Sequence, residues 1–188
     1  MHLTAPRIDP VALDNLDTAQ QDALAPLIES GRVLNIFRTM AHAPKGLRAF
    51  LQWGGYILSR RNSLCARDRE LAILRTGYNC RSGYEWTQHV QIGLEAGLLP
   101  AEIERIKGGP KANGWEERDR IILRTVDELT RDYFVSNASW NSLDFFTDKQ
   151  KMDLVFTIGQ YAQVSMFLNS FGVQLDPGQA LDPDLKKF

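Results

Sequence analysis

Helical periodicity along nearly the whole chain limits the folds that this sequence can adopt. Apolar residues recur every three to four positions, and no run has the alternation of a strand. The pattern predicts an all-α fold, a single-domain helical bundle of about eight helices. Gly108, Gly109 and Pro110 form the clearest loop. The predicted helical segments cover residues 18–30, 33–42, 45–61, 67–78, 83–97, 101–108, 116–132, 139–147 and the stretch from Asp148 onwards.

The chain has the length and continuity of one domain. Its 188 residues can bury a substantial core, and neither a low-complexity linker nor a convincing repeat divides them. We therefore expect one domain over residues 1–188, with a core at about 35–176. Residues 177–188 are rich in proline and aspartate, which predicts an extended and exposed tail. Gly54 and Gly55 lie inside a helical segment, where they are expected to allow close packing.

Charge and composition exclude several classes of protein. The formal net charge is −1 and no basic run is interleaved with aromatic residues, so neither a nucleic-acid partner nor a membrane-surface patch is expected. No stretch is as apolar as the roughly 20 residues of a membrane span, and the N-terminus lacks a secretory pattern. Two cysteines, Cys65 and Cys80, form neither a disulfide framework nor a CxxC motif. We expect a soluble, cytoplasmic protein.

Glu70 occupies an unusual place for a carboxylate. On a helical wheel of residues 67–78 it lies near the centre of the apolar arc. Burial raises the pKa of a carboxyl group, which is the direction that a general acid or base needs at neutral pH. The alternative is a structural ion pair with an arginine that faces the core. The opposite arc of the wheel carries Asp68, Arg69, Arg75 and Thr76.

The next predicted helix repeats this arrangement with Glu85 and His89. His89 projects from the apolar arc and Glu85 from its edge, one turn apart on the same side. Ser82 and Glu85 also have the spacing of a capping box, in which Ser82 is the N-cap and Glu85 reaches back to its amide. A lone histidine on an apolar face can equally be a hydrogen-bonded core residue.

Three inward-facing titratable groups on consecutive helices favour a proton-transfer site. Two carboxylates and an imidazole can share a proton without a metal ion. Helical metal sites use Glu-x-x-His or His-Glu-x-x-His motifs, whereas this chain has one Glu-x-x-x-His and two other histidines, His2 and His42. We therefore predict Glu70, Glu85 and His89 as catalytic residues and no metal or cofactor.

The same residues resemble the carboxymuconolactone decarboxylase family and its alkylhydroperoxidase-D-like superfamily. That group carries the motif E-x11-C-x2-C-x3-H, and Glu70, Ser82, Glu85 and His89 have its spacing. The resemblance extends from about Asn35 to Asp176 and is greatest to the decarboxylase-like branch. It implies an obligate homo-oligomer, a hexamer or trimer with sites near subunit boundaries. It also implies proton transfer next to a carbonyl of a small cyclic carboxylic acid or lactone, with loss of CO2.

The departure from the motif bears on the chemistry. Ser82 and Glu85 stand at the two cysteine positions, and neither can attack a peroxide or resolve a sulfenic acid as a thiol pair does. We therefore expect acid–base chemistry by His89, with Glu85 or Glu70 orienting the imidazole. Two alternatives remain at this point: a thiol-dependent hydroperoxidase that uses Cys80, and a non-catalytic oligomeric binder of small ligands.

Further residues are candidates for contact with a small-molecule substrate. Asn35, Arg38 and His42 form a polar stripe on a short helix, where Arg38 could clamp a carboxylate or simply be solvated. Trp53 and Trp86 are either pocket walls or ordinary core. A polar group such as Gln160 in an apolar helix needs a hydrogen-bond partner, which a pocket can supply. The predicted substrate-binding residues are Ser82, Tyr84, Arg38, Asn35, Trp53 and Gln160.

Overall fold

The described part of the chain, residues 2–186 of a computed structural model, has helices as its only regular secondary structure. It contains nine α-helices, one for each predicted segment where about eight were expected overall, together with short 3₁₀ turns at Gly109–Lys111 and Pro183–Leu185. The predicted all-α fold is confirmed. The α-helices are α1 (Thr18–Glu29), α2 (Asn35–Met40), α3 (Pro44–Ile57), α4 (Ala66–Asn79), α5 (Gly83–Glu95), α6 (Pro100–Lys107), α7 (Glu117–Asp132), α8 (Asn137–Ser142) and α9 (Asp148–Phe171).

Helix α4 is the central element, in contact with α5, α7 and α9. The polar arc of α4, opposite Glu70 on the helical wheel, therefore does not face solvent. Asp68 is buried and accepts a hydrogen bond from Arg118 at 2.6 Å, while Arg75 donates to Asp127 at 2.6 Å. Arg118 and Asp127 both belong to α7, so the charges on this arc are neutralised by the neighbouring helix. Buried charges need such partners, because an unpaired one is costly.

A tight turn joins α4 to α5 and fixes the relative position of the two helices. Arg81 takes a φ of 56°, and the Ser82 amide donates back to the Gly77 carbonyl at 2.8 Å. Further along α5, a Cβ on Gly93 would lie only 3.1 Å from a Leu74 methyl group. Glycine at this position lets α5 lie close against α4. Gly54 does not have this role, because no described atom lies within 4 Å of an added Cβ there or at Gly55, and the predicted close packing was wrong.

Helix α9 covers the other side of α4. A capping box between Thr147 and Gln150 starts the helix, and Gly172 with a φ of 69° ends it. Its inner face is buried, whereas Met152 and Met166 on its outer face are exposed. No helix within residues 2–186 combines the length and the apolar character needed to cross a membrane.

The C-terminal segment differs from the exposed tail that its composition predicted. Leu185 is completely buried in the main hydrophobic cluster, and the Lys107 ammonium lies 2.8 Å from Asp182. Proline and aspartate are frequent in this segment, but burial of the single apolar side chain of Leu185 is enough to hold the segment against the core. The segment is thus exposed at most of its described positions, as predicted, but it is docked on the core at Leu185, which was not predicted. Residues 187–188 lie outside the described part.

Candidate active site

Glu70, Glu85 and His89 meet between α4 and α5, and we call them the carboxylate–imidazole cluster. Glu70 comes from α4, and the other two lie one turn apart on α5. The Nδ1–H of His89 donates to Glu70 Oε2 at 2.7 Å. On the other side of the ring, Nε2 lies 2.9 Å from Glu85 Oε1, an ion-pair contact. The structure thus brings together the three residues that the sequence predicted as inward-facing.

The cluster is buried, and burial sets its electrostatics. The exposed fraction is 1% for Glu70, 4% for Glu85 and 6% for His89. Burial alone lowers the pKa of His89, but the charges of Glu85 and Glu70 outweigh it and raise this pKa to about 10. At neutral pH the imidazole is therefore protonated. Such a group can give a proton to a bound molecule and recover it from a neighbouring carboxylate.

Two further side chains adjoin the cluster, and neither was predicted from the sequence. The ring of Tyr161, on α9, packs edge-on against His89 with 4.9 Å between ring centroids. Arg69 precedes Glu70 on α4, and its Nε lies 3.9 Å from Glu70 Oε1. The wheel placed Arg69 on the opposite arc, but its long side chain reaches round the helix. Nothing in the sequence pattern singled out Tyr161 within the apolar helix α9.

Unused hydrogen-bonding groups concentrate at this site. Among the described residues, six buried side-chain nitrogen or oxygen atoms have no hydrogen-bond partner. Four of them belong to residues of the motif or to Arg69 beside it: Arg69 Nε, Glu70 Oε1, Ser82 Oγ and Glu85 Oε1, of which the last keeps only its ion-pair contact with His89 Nε2. Native proteins rarely leave such atoms without a partner unless a water molecule or a ligand supplies one. The site therefore has spare capacity to bind a polar molecule.

Ser82 begins α5, as predicted, but the predicted capping box is wrong. The Ser82 hydroxyl makes no capping hydrogen bond and is completely buried. The Glu85 carboxylate lies against His89 rather than the Ser82 amide, which donates to Gly77. Two competing partners thus explain the difference: the imidazole engages the carboxylate, and the end of α4 engages the amide.

Three of the predicted substrate-binding residues have internal partners away from the cluster. Tyr84 is buried, and its hydroxyl donates to Asp176 at 2.6 Å. The backbone N–H of Asn35 donates to the same carboxylate at 2.8 Å, and the Arg38 side chain donates to the side-chain oxygen of Asn35 at 3.3 Å. These contacts fasten residues after α9 to α2 and α5. The structure does not bring these three residues to His89.

Trp53 and Gln160 line a separate cleft between α2, α3 and α9. The cleft has a volume of about 470 Å³, and apolar side chains such as Phe50 and Phe167 form most of its wall. Thr39 also lines it, and its buried hydroxyl has no described partner. No member of the carboxylate–imidazole cluster lines this cleft. Trp86, by contrast, is buried in the main core.

The geometry of the cluster differs from that of a metal centre. Both imidazole nitrogens face a carboxylate oxygen, at 2.7 Å and 2.9 Å. Between residues 2 and 186, no group of three or more His, Cys, Asp or Glu side chains is placed to hold a metal ion.

Comparison with known families supports the motif assignment. Residues 44–107 match the model of the carboxymuconolactone decarboxylase family, and this segment contains Glu70, Ser82, Glu85 and His89. The resemblance to that family is therefore confirmed. A comparison with curated protein sequences gives no match.

Solved structures share the fold at low sequence identity. An alkylhydroperoxidase AhpD core, an uncharacterized peroxidase-related protein from Ralstonia eutropha JMP134, has a TM-score of 0.75 and 21% identity, covering 90% of this chain and 93% of its own. A peroxidase-related protein from Silicibacter sp. TM1040 has a TM-score of 0.71 and 17% identity, with coverages of 94% and 92%. The debrominase Bmp8 in complex with 2,3,4-tribromopyrrole has a TM-score of 0.75 and 10% identity, with coverages of 93% and 94%. These likenesses establish the fold and leave the chemistry to the residues of the site.

Proposed function

We propose that the protein is a cofactor-free acid–base enzyme of the decarboxylase, lyase or isomerase type. Its substrate would be a small cyclic carboxylic acid or lactone. The observation that carries the proposal is the buried imidazole of His89, 2.7 Å from the Glu70 carboxylate and 2.9 Å from the Glu85 carboxylate. A proton held in this way, beside unpartnered polar atoms, is available for transfer to a substrate carbon.

Differences in burial suggest separate roles for the two carboxylates. The Glu70 side chain is 1% exposed and accepts the Nδ1–H, so it orients the ring and stabilises its charge. The Glu85 side chain is 5% exposed and faces Nε2, the nitrogen that we assign to proton transfer. In a decarboxylation, the bond to CO2 breaks and its electron pair becomes conjugated with the neighbouring carbonyl. The carbon then takes the proton from Nε2, and Glu85 returns a proton from solvent.

Solvent exchange offers a test that does not require the natural substrate to be known. Small lactones and cyclic carboxylic acids are incubated with the protein in D2O, and deuterium incorporation next to the carbonyl and CO2 release are measured. Glu70→Gln, Glu85→Gln and His89→Asn should each lower the rate by about a hundredfold or more, with helical content unchanged. His42→Asn, at an exposed histidine, is the matched control. Full activity in all three cluster variants, or none in the wild-type protein, would refute the proposal.

A thiol peroxidase is the second enzymatic candidate, favoured by the fold shared with peroxidase-related proteins. The placement of the thiols opposes it. Cys65 is the N-cap of α4 and Cys80 its C-cap, so a helix of about 20 Å separates them. Burial also raises the pKa of the Cys80 thiol, which disfavours the reactive thiolate. A non-catalytic ligand binder is the third candidate, and it predicts that cluster variants change affinity or stability but no rate.

We also propose that the protein acts as a cytoplasmic homo-oligomer, a hexamer or trimer. Large apolar side chains are exposed on the outer faces of α3 and α9, among them Trp53, Met152 and Met166. Exposed apolar surface of this kind is common at subunit interfaces. Light scattering coupled to size-exclusion chromatography measures the mass, and a monomer at micromolar concentration would exclude the assembly.

A further inference from the structure

We propose that Arg69, together with the hydroxyl group of Tyr161, binds a carboxylate group of the ligand beside His89. The inference rests on the proposed function, since it names the chemical group that the same site recognises. It assigns to two residues outside the sequence motif the task of holding the substrate while the carboxylate–imidazole cluster moves the proton.

The first observation is a mostly buried guanidinium without a hydrogen-bond acceptor. The Arg69 side chain is 14% exposed, and its only ion-pair contact with a described residue is the 3.9 Å approach to Glu70. That distance is too long for a hydrogen bond, and Nε is buried with no partner. Nε is the nitrogen of Arg69 that is both buried and without a partner, and leaving a buried donor unsatisfied is costly. An acceptor from outside the described chain would remove this cost.

Other arginines of the same helix show that this state is an exception. Arg67 donates to Asp119 and to Glu102, at distances between 2.6 Å and 2.8 Å. Arg75 forms a bidentate pair with Asp127 and also donates to two backbone carbonyls. Helices α6 and α7 thus supply the acceptors for these two structural arginines. Arg69 is the arginine of α4 left without one, and it lies next to Glu70.

The second observation is the hydroxyl group of Tyr161 on the opposite helix. Its ring contacts His89, and its hydroxyl takes part in none of the hydrogen bonds of the described residues. Burial and the charges of Glu85 and Glu70 raise the pKa of Tyr161 well above its usual value. The group therefore remains a neutral O–H donor at neutral pH. Arg69 acts electrostatically on the same hydroxyl, and each of the two side chains contacts a member of the carboxylate–imidazole cluster.

The geometry of the guanidinium, rather than the net charge of the site, suits one carboxylate group. Glu70 and Glu85 are balanced by the protonated His89 and by Arg69, so a bound carboxylate would bring the formal charge of the site from zero to −1 and would depend on direct hydrogen bonds from Arg69. A carboxylate can accept two parallel hydrogen bonds from a guanidinium, the geometry that arginine favours most. The Tyr161 hydroxyl supplies a third donor. An uncharged ligand would leave the Arg69 guanidinium without a charged hydrogen-bond acceptor.

Histidine NMR gives a direct test, because the chain contains only three histidines. The ¹⁵N signals of His89 are assigned by their loss in His89→Asn. Acetate and benzoate are then titrated, with benzamide as the uncharged match for benzoate. We expect the carboxylates, and not benzamide, to shift the His89 signals. Arg69→Gln should weaken carboxylate binding about tenfold or more, Arg69→Lys less, and Tyr161→Phe measurably. Arg60→Gln, an exposed arginine between α3 and α4, should leave binding unchanged.

The outcomes separate this inference from the proposed function. No His89 shift with either carboxylate, or equal affinity in Arg69→Gln and the wild-type protein, would overturn the inference even if deuterium exchange depends on His89. Carboxylate binding that depends on Arg69, without any exchange, would support the inference and refute the proposed function. A carboxylate of a neighbouring copy could instead satisfy Arg69. In that case Arg69→Gln would lower the oligomeric mass and acetate would have no effect, which also overturns the inference.

Discussion

Raising the pH tests whether Glu70 and Glu85 hold His89 as an imidazolium. The pKa of His89 rises from 6.5 to about 10 in the folded protein, because the two carboxylate charges outweigh the effect of burial. Between these values the folded state keeps a proton that the unfolded chain has released. The stabilisation is therefore fully present below pH 6.5 and is lost as the pH rises through about 10. The free energy of unfolding should fall by about 1.4 kcal/mol per pH unit within this window, and by at most ~5 kcal/mol across it.

Urea unfolding followed by circular dichroism measures this slope. The wild-type protein and His89→Gln are compared at one protein concentration, at several pH values between about 7 and 9. Titrations common to both proteins cancel in the difference, which isolates the proton on His89. His42→Gln, at an exposed histidine, should keep the wild-type slope. Parallel curves for the wild-type protein and His89→Gln would refute the imidazolium between two carboxylates.

Two further variants test the redox alternative and the packing beneath the cluster. Cys80→Ser should leave both deuterium exchange and any hydroperoxide consumption unchanged. Burial raises the pKa of the Cys80 thiol, and Cys65 lies at the other end of α4. Loss of peroxide consumption in this variant would instead support the peroxidase. Gly93→Ala should lower the free energy of unfolding by about 1–3 kcal/mol and slow the exchange, since the new methyl group would press on Leu74 beside Glu70. Gly54→Ala, where an added Cβ meets open space, is its control and should be neutral or stabilising by up to about 1 kcal/mol. Equal stability of the two alanine variants would show that α4 and α5 are not closely packed at Gly93.

Helical periodicity was sufficient to predict the nine helical segments and the inward direction of Glu70, Glu85 and His89. It could not show how many neighbours a helix has, so the polar arc of α4 was not recognised as an interface with α7. The capping rule failed where another partner competed, as at Ser82, whose predicted capping partner Glu85 contacts His89, one turn further along α5, instead. Arg69 and Tyr161 were missed because their importance depends on which acceptors the folded chain lacks. No local pattern carries that information.

The identity of two residues decides what this arrangement of helices can do. Helices α4 and α5 place the carboxylates at positions 70 and 85 on either side of the buried imidazole of His89, with position 82 at the start of α5. This placement depends on packing that includes Gly93 and the turn at Arg81. Thiols at positions 82 and 85 would supply the electrons for peroxide reduction, with the imidazole as their proton partner. Serine and glutamate supply no electrons, whereas the Glu85 carboxylate lies within reach of a proton on the ring. Because the residues at these two positions cannot reduce a peroxide, similarity of fold to peroxidase-related proteins does not carry their chemistry to this chain.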